Sequence, residues 1–198
     1  MLRQNLTVRV LGIGLLTALL FPLASSRAAA EEPVPNLKLE ESTAVTLDKD
    51  RNGMAAKTRL IATPSFIMYS LNPVVDGIKE RTEMGWQECS WASEEDPSPH
   101  GIEIRLSKPV QGGRFQVAWA FDVPTGKWWI SRNYCIQIKA KADAPWKTVI
   151  TVKNNQSVVG SYPLPDEAFS FLRIVQLPSG GPADRPDIMW VGQVEFTR

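Results

Sequence analysis

The stretch GIEIRL, residues 101–106, alternates apolar and polar side chains with a period of two. Alternation of this kind is typical of a β-strand that turns one face to a core and the other to polar surroundings. It returns in RFQVAWA, residues 114–120, and again from residue 134 to residue 138. The pattern therefore predicts several β-strands that share one hydrophobic core.

Shorter apolar runs and frequent turn residues surround these strands. Most of the 15 prolines and 13 glycines fall between the runs. After residue 58 no long stretch places apolar residues at the i, i+3, i+4 and i+7 positions of a helix. Many short strands joined by turns predict an all-β fold, either an antiparallel sandwich or a barrel. The further strand candidates are residues 146–152, 158–162, 169–175 and 189–196.

The N-terminal 30 residues carry the features of a signal peptide. Arg3 and Arg9 precede an apolar run at residues 10–23, and three alanines at residues 28–30 form a small-residue cleavage site. The run is shorter than the roughly 20 residues of a membrane span. We therefore predict cleavage after Ala30 and a secreted, periplasmic or extracellular protein with no transmembrane segment after cleavage. An uncleaved anchor is the alternative.

The remaining chain divides into two parts. Residues 31–58 contain prolines and scattered charges without sustained periodicity, which predicts a flexible N-terminal segment. Residues 59–198 contain the predicted strands and are expected to form one β domain. Cys89 and Cys135 would reach an oxidising compartment in an exported protein, so a disulfide between them is one prediction. A buried thiol at Cys135, which lies in an apolar strand pattern, is the other.

Charge and histidine content exclude several classes of function. The whole chain has a formal net charge of +1, and loss of three arginines with residues 1–30 leaves a net charge of −2. The lack of a basic excess argues against a nucleic-acid partner. His100 is the only histidine, which excludes a multi-histidine metal site, and no G-x-S-x-G motif or other catalytic set is recognisable. We therefore predict that the protein is not an enzyme.

The order of several motifs resembles that of a known family. VDG, residues 75–77, looks like its Asp-Gly turn, and residues 101–109 look like its strand ending in Leu-x-x-Pro. Residues 171–174 resemble its penultimate Leu-Arg-Ile strand, and residues 191–196 its closing strand. The family is the discoidin or coagulation factor V/VIII type C domain, a galactose-binding-like fold related to carbohydrate-binding modules. The resemblance implies a jelly-roll-like β-sandwich whose loops at one end bind ligands.

Aromatic and polar loop residues are the candidates for a ligand site. Sugar recognition uses aromatic faces against the C–H side of a ring and polar groups for the hydroxyls. Adjacent strand residues face opposite sides, so one of Trp128 and Trp129 should point outward. We predict Trp129 and Trp91 as platforms, with packing within a loop as the alternative. The predicted ligand-binding set is Trp91, His100, Trp128, Trp129, Arg132, Asn133 and Arg185, and the predicted core tryptophans are Trp119, Trp146 and Trp190.

Modules related to the family often hold a structural calcium ion. The resemblance places its ligands at Asp76, near the Asp-Gly turn, and at Gln193 and Glu195 on the last strand. A glutamine oxygen binds calcium with less charge than a carboxylate does. Two alternatives stay open, which are no cofactor and a structural calcium ion at these three residues.

Together these features predict an exported, non-catalytic binding module. It would recognise carbohydrate or another cell-surface ligand through loops at one end of the β-sandwich. The alternative is a protein-binding or adhesion module of the cell envelope, which would use the same aromatic loops.

Overall fold

Two antiparallel sheets form the part of the protein that the computed structural model describes, which is residues 36–67, 69–78 and 89–197. A short 3-10 helix, Pro73–Val75, packs against the last strand. The all-β, antiparallel sandwich predicted from the alternating stretches is confirmed. The strands are β1 (Glu40–Thr46), β2 (Arg59–Ala62), β3 (Trp91–Ala92), β4 (His100–Val110), β5 (Arg114–Asp122), β6 (Lys127–Trp129), β7 (Tyr134–Lys139), β8 (Lys147–Val152), β9 (Val159–Pro163), β10 (Phe169–Gln176) and β11 (Trp190–Thr197).

The two sheets enclose one main core. The six-stranded sheet has the order β1-β2-β4-β10-β7-β8, and the five-stranded sheet has the order β3-β11-β5-β6, with β9 also paired to β5. In the first sheet Ile174 lies between Ile102 and Ile136, which places three buried isoleucines in one row. In the second sheet Phe196 lies opposite Phe115, with 5.3 Å between the ring centroids. Cross-strand apolar rows of this kind stabilise a sandwich core.

One end of the sandwich gathers the loops that matter for function, and we call it the loop end. His100 at the start of β4 lies opposite Gln176 at the end of β10, which in turn lies opposite Tyr134 at the start of β7. The segments that leave this row of residues are therefore neighbours in space. The loop end consists of residues 63–67, 69–72, 93–99, 123–126, 130–133 and 177–189.

The segment before residue 59 corrects the predicted domain boundary. Residues 31–58 were expected to be flexible, but β1 lies inside this segment and pairs with β2, and Leu47 and Met54 are buried in the main core. The Thr43 hydroxyl accepts a hydrogen bond from the Ala62 N–H at 2.8 Å. All seven residues of β1 are exposed or half-buried, so this strand lacks the alternation that marks an inner strand. Residues 1–35, with the predicted signal peptide, lie outside the described residues.

The predicted disulfide is wrong. Cys89 and Cys135 are two buried thiols that are not joined to each other. Cys135 lies in β7 of the six-stranded sheet between Thr151 and Val175, whereas Cys89 precedes β3 of the other sheet. The apolar strand pattern around Cys135 therefore indicates burial rather than pairing.

Among the described residues there is no helix long and apolar enough to span a membrane.

A buried polar row lies on the six-stranded sheet next to the isoleucine row. In the strand register, Arg173 of β10 lies between Glu103 of β4 and Gln137 of β7, and all three residues are at most 5% exposed. The Arg173 Nε donates to the Gln137 Oε1 at 2.6 Å. Trp146 lies over this guanidinium, 4.2 Å from it to the ring centroid. Trp146 is thus a half-buried cover for the row rather than the core residue predicted from its strand pattern.

Candidate functional site

The two predicted tryptophan platforms are buried. Trp91 has no exposed surface, and its Nε1 donates to the Ser65 hydroxyl at 2.7 Å. Trp129 is 8% exposed and stacks on Trp190, with 5.6 Å between the ring centroids and an angle of 23° between the planes. The prediction that these two rings are open to a ligand is wrong, because the polar stretch around Trp91 is a two-residue buried strand.

Trp128 is the outward member of the adjacent pair. It is 37% exposed and lies 4.8 Å from the Phe121 ring, centroid to centroid. The pairing of β5 with β6 sets Trp129 opposite Ala120 and Trp128 opposite Phe121. Alternation therefore correctly predicts one outward tryptophan but does not say which of the two it is.

Three of the predicted polar residues hold the loops of the loop end in place. The Arg132 Nε donates to the Gly181 carbonyl at 2.7 Å, and the Asn133 Oδ1 accepts from the Asn154 N–H at 3.0 Å. His100 is buried, and its Nε2 lies 2.9 Å from the carbonyl oxygens of both Asp96 and Asp187. Because a carbonyl can only accept, this nitrogen carries the proton and donates it. These side chains position the loops around the site.

Arg185, the fourth predicted polar residue, forms an ion pair over the aromatic pair. Its Nε and one terminal nitrogen reach the two oxygens of the Glu95 carboxylate at 3.0 and 2.5 Å. Lys127 binds Asp184 beside it and lies 4.1 Å over the Trp129 ring centroid. The hydrogen bond from Arg185 lowers the pKa of Glu95, and the hydrogen bond from Lys127 lowers the pKa of Asp184. Lys127 and Arg185, each paired with a carboxylate, thus cover the Trp129 ring, which the sequence predicted to be open to a ligand.

A pH-dependent stability difference should follow from the Arg185–Glu95 pair. The pKa of Glu95 is lower in the folded protein than in the unfolded chain. The ion pair therefore contributes its full stabilisation of the fold at pH values above the unfolded pKa of the carboxyl group, and this contribution is lost as the pH falls through the folded pKa. A Glu95→Gln variant should unfold about 0.2–1 kcal/mol more easily than the wild type at neutral pH, since both partners are partly exposed. The difference should vanish at acidic pH in urea titrations. An equal difference at both pH values would contradict the role of the charge.

Two cavities share Glu94 as a lining residue, and together we call them the β1 groove. The larger has a volume of about 420 Å³ and the smaller about 300 Å³. Tyr69 lines the larger cavity, and its ring contacts Trp190 edge-on, with 5.4 Å between the ring centroids. The residues that line the larger cavity include Glu40, Ser42, Tyr69, Ser70, Asn72 and Glu94. Those that line the smaller cavity include Lys38, Glu94, Asp96 and His100.

The polar groups of the larger cavity are available to a ligand. Within the described part of the chain, the side chains of Glu40, Ser42, Ser70, Asn72 and Glu94 make no hydrogen bond or ion pair. Burial raises the pKa of Tyr69 to about 12, so its phenol stays protonated and can donate a hydrogen bond. The cavity therefore offers hydroxyls, an amide, carboxylates and one aromatic ring.

Sequence reasoning missed this groove entirely. Its walls come from β1, from residues 69–72 and from Glu94, which are far apart in the chain. Residues 69–72 combine an aromatic ring, Tyr69, with two polar side chains, Ser70 and Asn72. This short pattern does not indicate that β1 and Glu94 form the rest of the cavity wall. Tyr69, rather than any tryptophan, supplies the aromatic ring.

The predicted calcium ligands lie on two elements, with Asp76 directly after the 3-10 helix and Gln193 and Glu195 on β11. The Asp76 Oδ1 accepts a hydrogen bond from the Ile78 N–H at 2.9 Å. The side chain of Gln193 is buried, and its amide oxygen has no hydrogen-bond partner among the residues that the structure describes. Across those same residues, no three His, Cys, Asp or Glu side chains come together to hold a metal ion. Calcium ordinarily takes six to eight oxygen ligands, so a site at these residues would also need backbone carbonyls or water, and the calcium ion stays a prediction.

Comparison with known proteins gives matches in structure alone. No family model and no curated protein sequence matches the chain. Chitosan-binding module 1 from the chitosanase/glucanase of Paenibacillus sp. IK-5 superposes with a TM-score of 0.55 at 15% identity, covering 77% of this chain and 97% of the module. A fucose-binding module of Streptococcus pneumoniae gives 0.55 at 16% identity, covering 76% and 96%. The family 32 CBM from C. perfringens NanJ, in complex with galactose, gives 0.52 at 12% identity, covering 71% and 93%.

These neighbours are carbohydrate-binding modules with the discoidin-like, galactose-binding-like fold. The resemblance inferred from the order of motifs is therefore confirmed for the fold. At such low sequence identity the likeness is one of architecture, and the ligand of this chain has to be argued from its own side chains.

Proposed function

We propose that this protein is an exported, non-catalytic carbohydrate-binding module that takes its ligand in the β1 groove. One observation carries the proposal, which is that uncommitted hydroxyl, amide and carboxylate groups surround the half-buried Tyr69 ring in a cavity of about 420 Å³. A sugar presents an apolar C–H face to such a ring and hydroxyls to such polar groups. Export rests on the signal-peptide features of residues 1–30.

The structural neighbours support the proposed ligand class. They are binding modules whose names give chitosan, fucose and galactose as ligands. A module of this kind needs no catalytic pair of carboxylates. Hydrogen bonds also hold the loops of the loop end in fixed positions, since His100 and Arg132 each donate to a carbonyl of the loop at residues 177–189.

Removal of two groove side chains should weaken sugar binding. In a Ser70→Ala/Asn72→Ala double variant we expect about a tenfold loss of affinity, since each lost hydrogen bond contributes about 0.5–1.5 kcal/mol. Isothermal titration of galactose, fucose and glucosamine oligosaccharides against the mature protein would measure it. Gln111→Ala, an exposed change in the turn between β4 and β5, is the matched control and should bind as the wild type does.

The alternative, a protein-binding or adhesion module, is favoured by one observation. Ile67 is 75% exposed and follows Phe66, which is 37% exposed, on the loop between β2 and the 3-10 helix. If no sugar in the panel binds, whereas a protein partner is retained and Ile67→Ser releases it, the carbohydrate proposal fails and the adhesion function replaces it.

A further inference from the structure

Two carboxylates that line the β1 groove, those of Glu40 and Glu94, have no cationic partner among the described residues. Within the described residues Glu40 and Glu94 form no ion pair, and both are exposed. The other acids nearby are engaged: Glu41 with Arg59, Glu95 with Arg185, Asp184 with Lys127, Asp96 with Ser98 and Asp187 with Ser179. The carboxylates around the groove thus have partners, whereas the Glu40 and Glu94 carboxylates that line it have none among the described residues.

The charged groups that face the groove give it a negative balance. Glu40 and Glu94 face the larger cavity, and Glu94, Asp96 and Lys38 face the smaller one. The hydrogen bond from the Ser98 hydroxyl lowers the pKa of Asp96, and the charge of Lys38 acts in the same direction with a smaller effect. Among the described residues, the groove is therefore lined by three carboxylates and one ammonium group, together with Tyr69 and the buried His100.

Neutral sugars do not need such a balance. A sugar hydroxyl can form its hydrogen bonds with an amide or with another hydroxyl, and these partners avoid the cost of desolvating a carboxylate. A carboxylate bound to an ammonium group forms a charge-assisted hydrogen bond, which is shorter and stronger than a neutral one. Carboxylates without cations in a hydroxyl-rich groove therefore favour a ligand that carries both hydroxyls and a positive charge.

We propose that the β1 groove selects amino sugars with a free, protonated amine, and that Glu94 receives the ammonium group while Tyr69 contacts the apolar face of the ring. Glu94 lines both cavities, so it can serve a residue in either of them or an amine at the junction between two sugar residues. Glu40 faces the larger cavity and supplies the second negative charge. This inference rests on the proposed function and narrows its ligand class.

The test compares two ligands that differ only at nitrogen. A β-1,4-linked glucosamine oligosaccharide and its fully N-acetylated counterpart are titrated into the mature protein and into Glu94→Gln, Glu40→Gln and Glu167→Gln. Glu167 is an exposed acid in the β9–β10 loop, outside the groove, and serves as the matched control. Thermal unfolding of each variant checks that it is folded.

We expect the wild type and Glu167→Gln to bind the free-amine oligosaccharide about tenfold more tightly than the acetylated one. Glu94→Gln should remove most of this preference, because it should weaken the binding of the free-amine oligosaccharide much more than that of the acetylated one. Raising the pH through the pKa of the sugar amine, or adding salt, should weaken only the binding of the free-amine ligand.

Other outcomes separate the two proposals. Equal or tighter binding of the acetylated oligosaccharide, or an equal loss for both ligands in Glu94→Gln, would overturn the amino-sugar inference and leave the carbohydrate function standing. If neither oligosaccharide binds but galactose or fucose does, the inference likewise fails alone. No binding of any sugar in the panel would overturn both.

Discussion

Replacing Trp119 with alanine should lower the free energy of unfolding by about 3–5 kcal/mol. Trp119 is 1% exposed in the main core, and its ring lies edge-on to Tyr134 with 5.0 Å between the centroids. The change removes a large apolar surface and leaves a cavity between two sheets that can close only partly. Urea denaturation followed by far-ultraviolet circular dichroism would measure the loss.

Trp128→Ala is the matched control for this change. Its ring is 37% exposed and contacts Phe121 at the surface of the sandwich. We expect it to cost no more than about 1.5 kcal/mol, which is the additional worth of one aromatic pair. Comparable losses for the two variants would contradict the division between core and surface tryptophans described above.

Arg173→Met should cost about 1–3 kcal/mol, the second large effect. The substitution keeps most of the apolar volume, but it takes the donor from the buried Gln137 oxygen, whereas Glu103 keeps its ion pair with Arg105 at 2.8 Å. A buried acceptor that loses its donor retains the full desolvation cost of its polar atom. Burial lowers the pKa of Arg173, and the charge of Glu103 opposes this effect.

An exposed arginine provides the control for Arg173→Met. Arg114 at the start of β5 donates to the Ser161 hydroxyl at 3.0 Å and is exposed. Arg114→Met should change the free energy of unfolding by no more than about 1 kcal/mol, because water can replace the lost hydrogen bond. If Arg173→Met were equally mild in urea denaturation, the buried polar row would not contribute to stability.

The inner strands could be predicted from sequence because the side chains that face the main core alternate with polar ones. Residues 101–106 and 114–120 alternate visibly, and the buried Trp119 lies in the second of these stretches. The outward direction of Trp128 could not be predicted, since β6 has three residues and its orientation is set by pairing with β5. A strand of that length contains no period from which to determine a face.

The candidate site was harder to predict than the fold, for a physical reason. Sequence reasoning selects large aromatic and charged residues, and here Trp91, Trp129 and Arg185 are used in packing and ion pairs. The groups left uncommitted, such as Ser70 and Asn72, have no distinguishing pattern along the chain. Their availability depends on contacts between segments, which only the folded structure defines.

The edge strand β1 has a consequence for affinity. It pairs with β2 on one side, its register shifts between Glu40 and Val45, and it supplies one wall of the groove. Strands at the margin of a sheet open locally at lower free energy than the whole domain unfolds. A ligand that needs this wall binds only molecules in which β1 is closed, so its apparent dissociation constant equals the intrinsic constant divided by the closed fraction. The opening equilibrium of β1 therefore contributes to the apparent affinity of the groove.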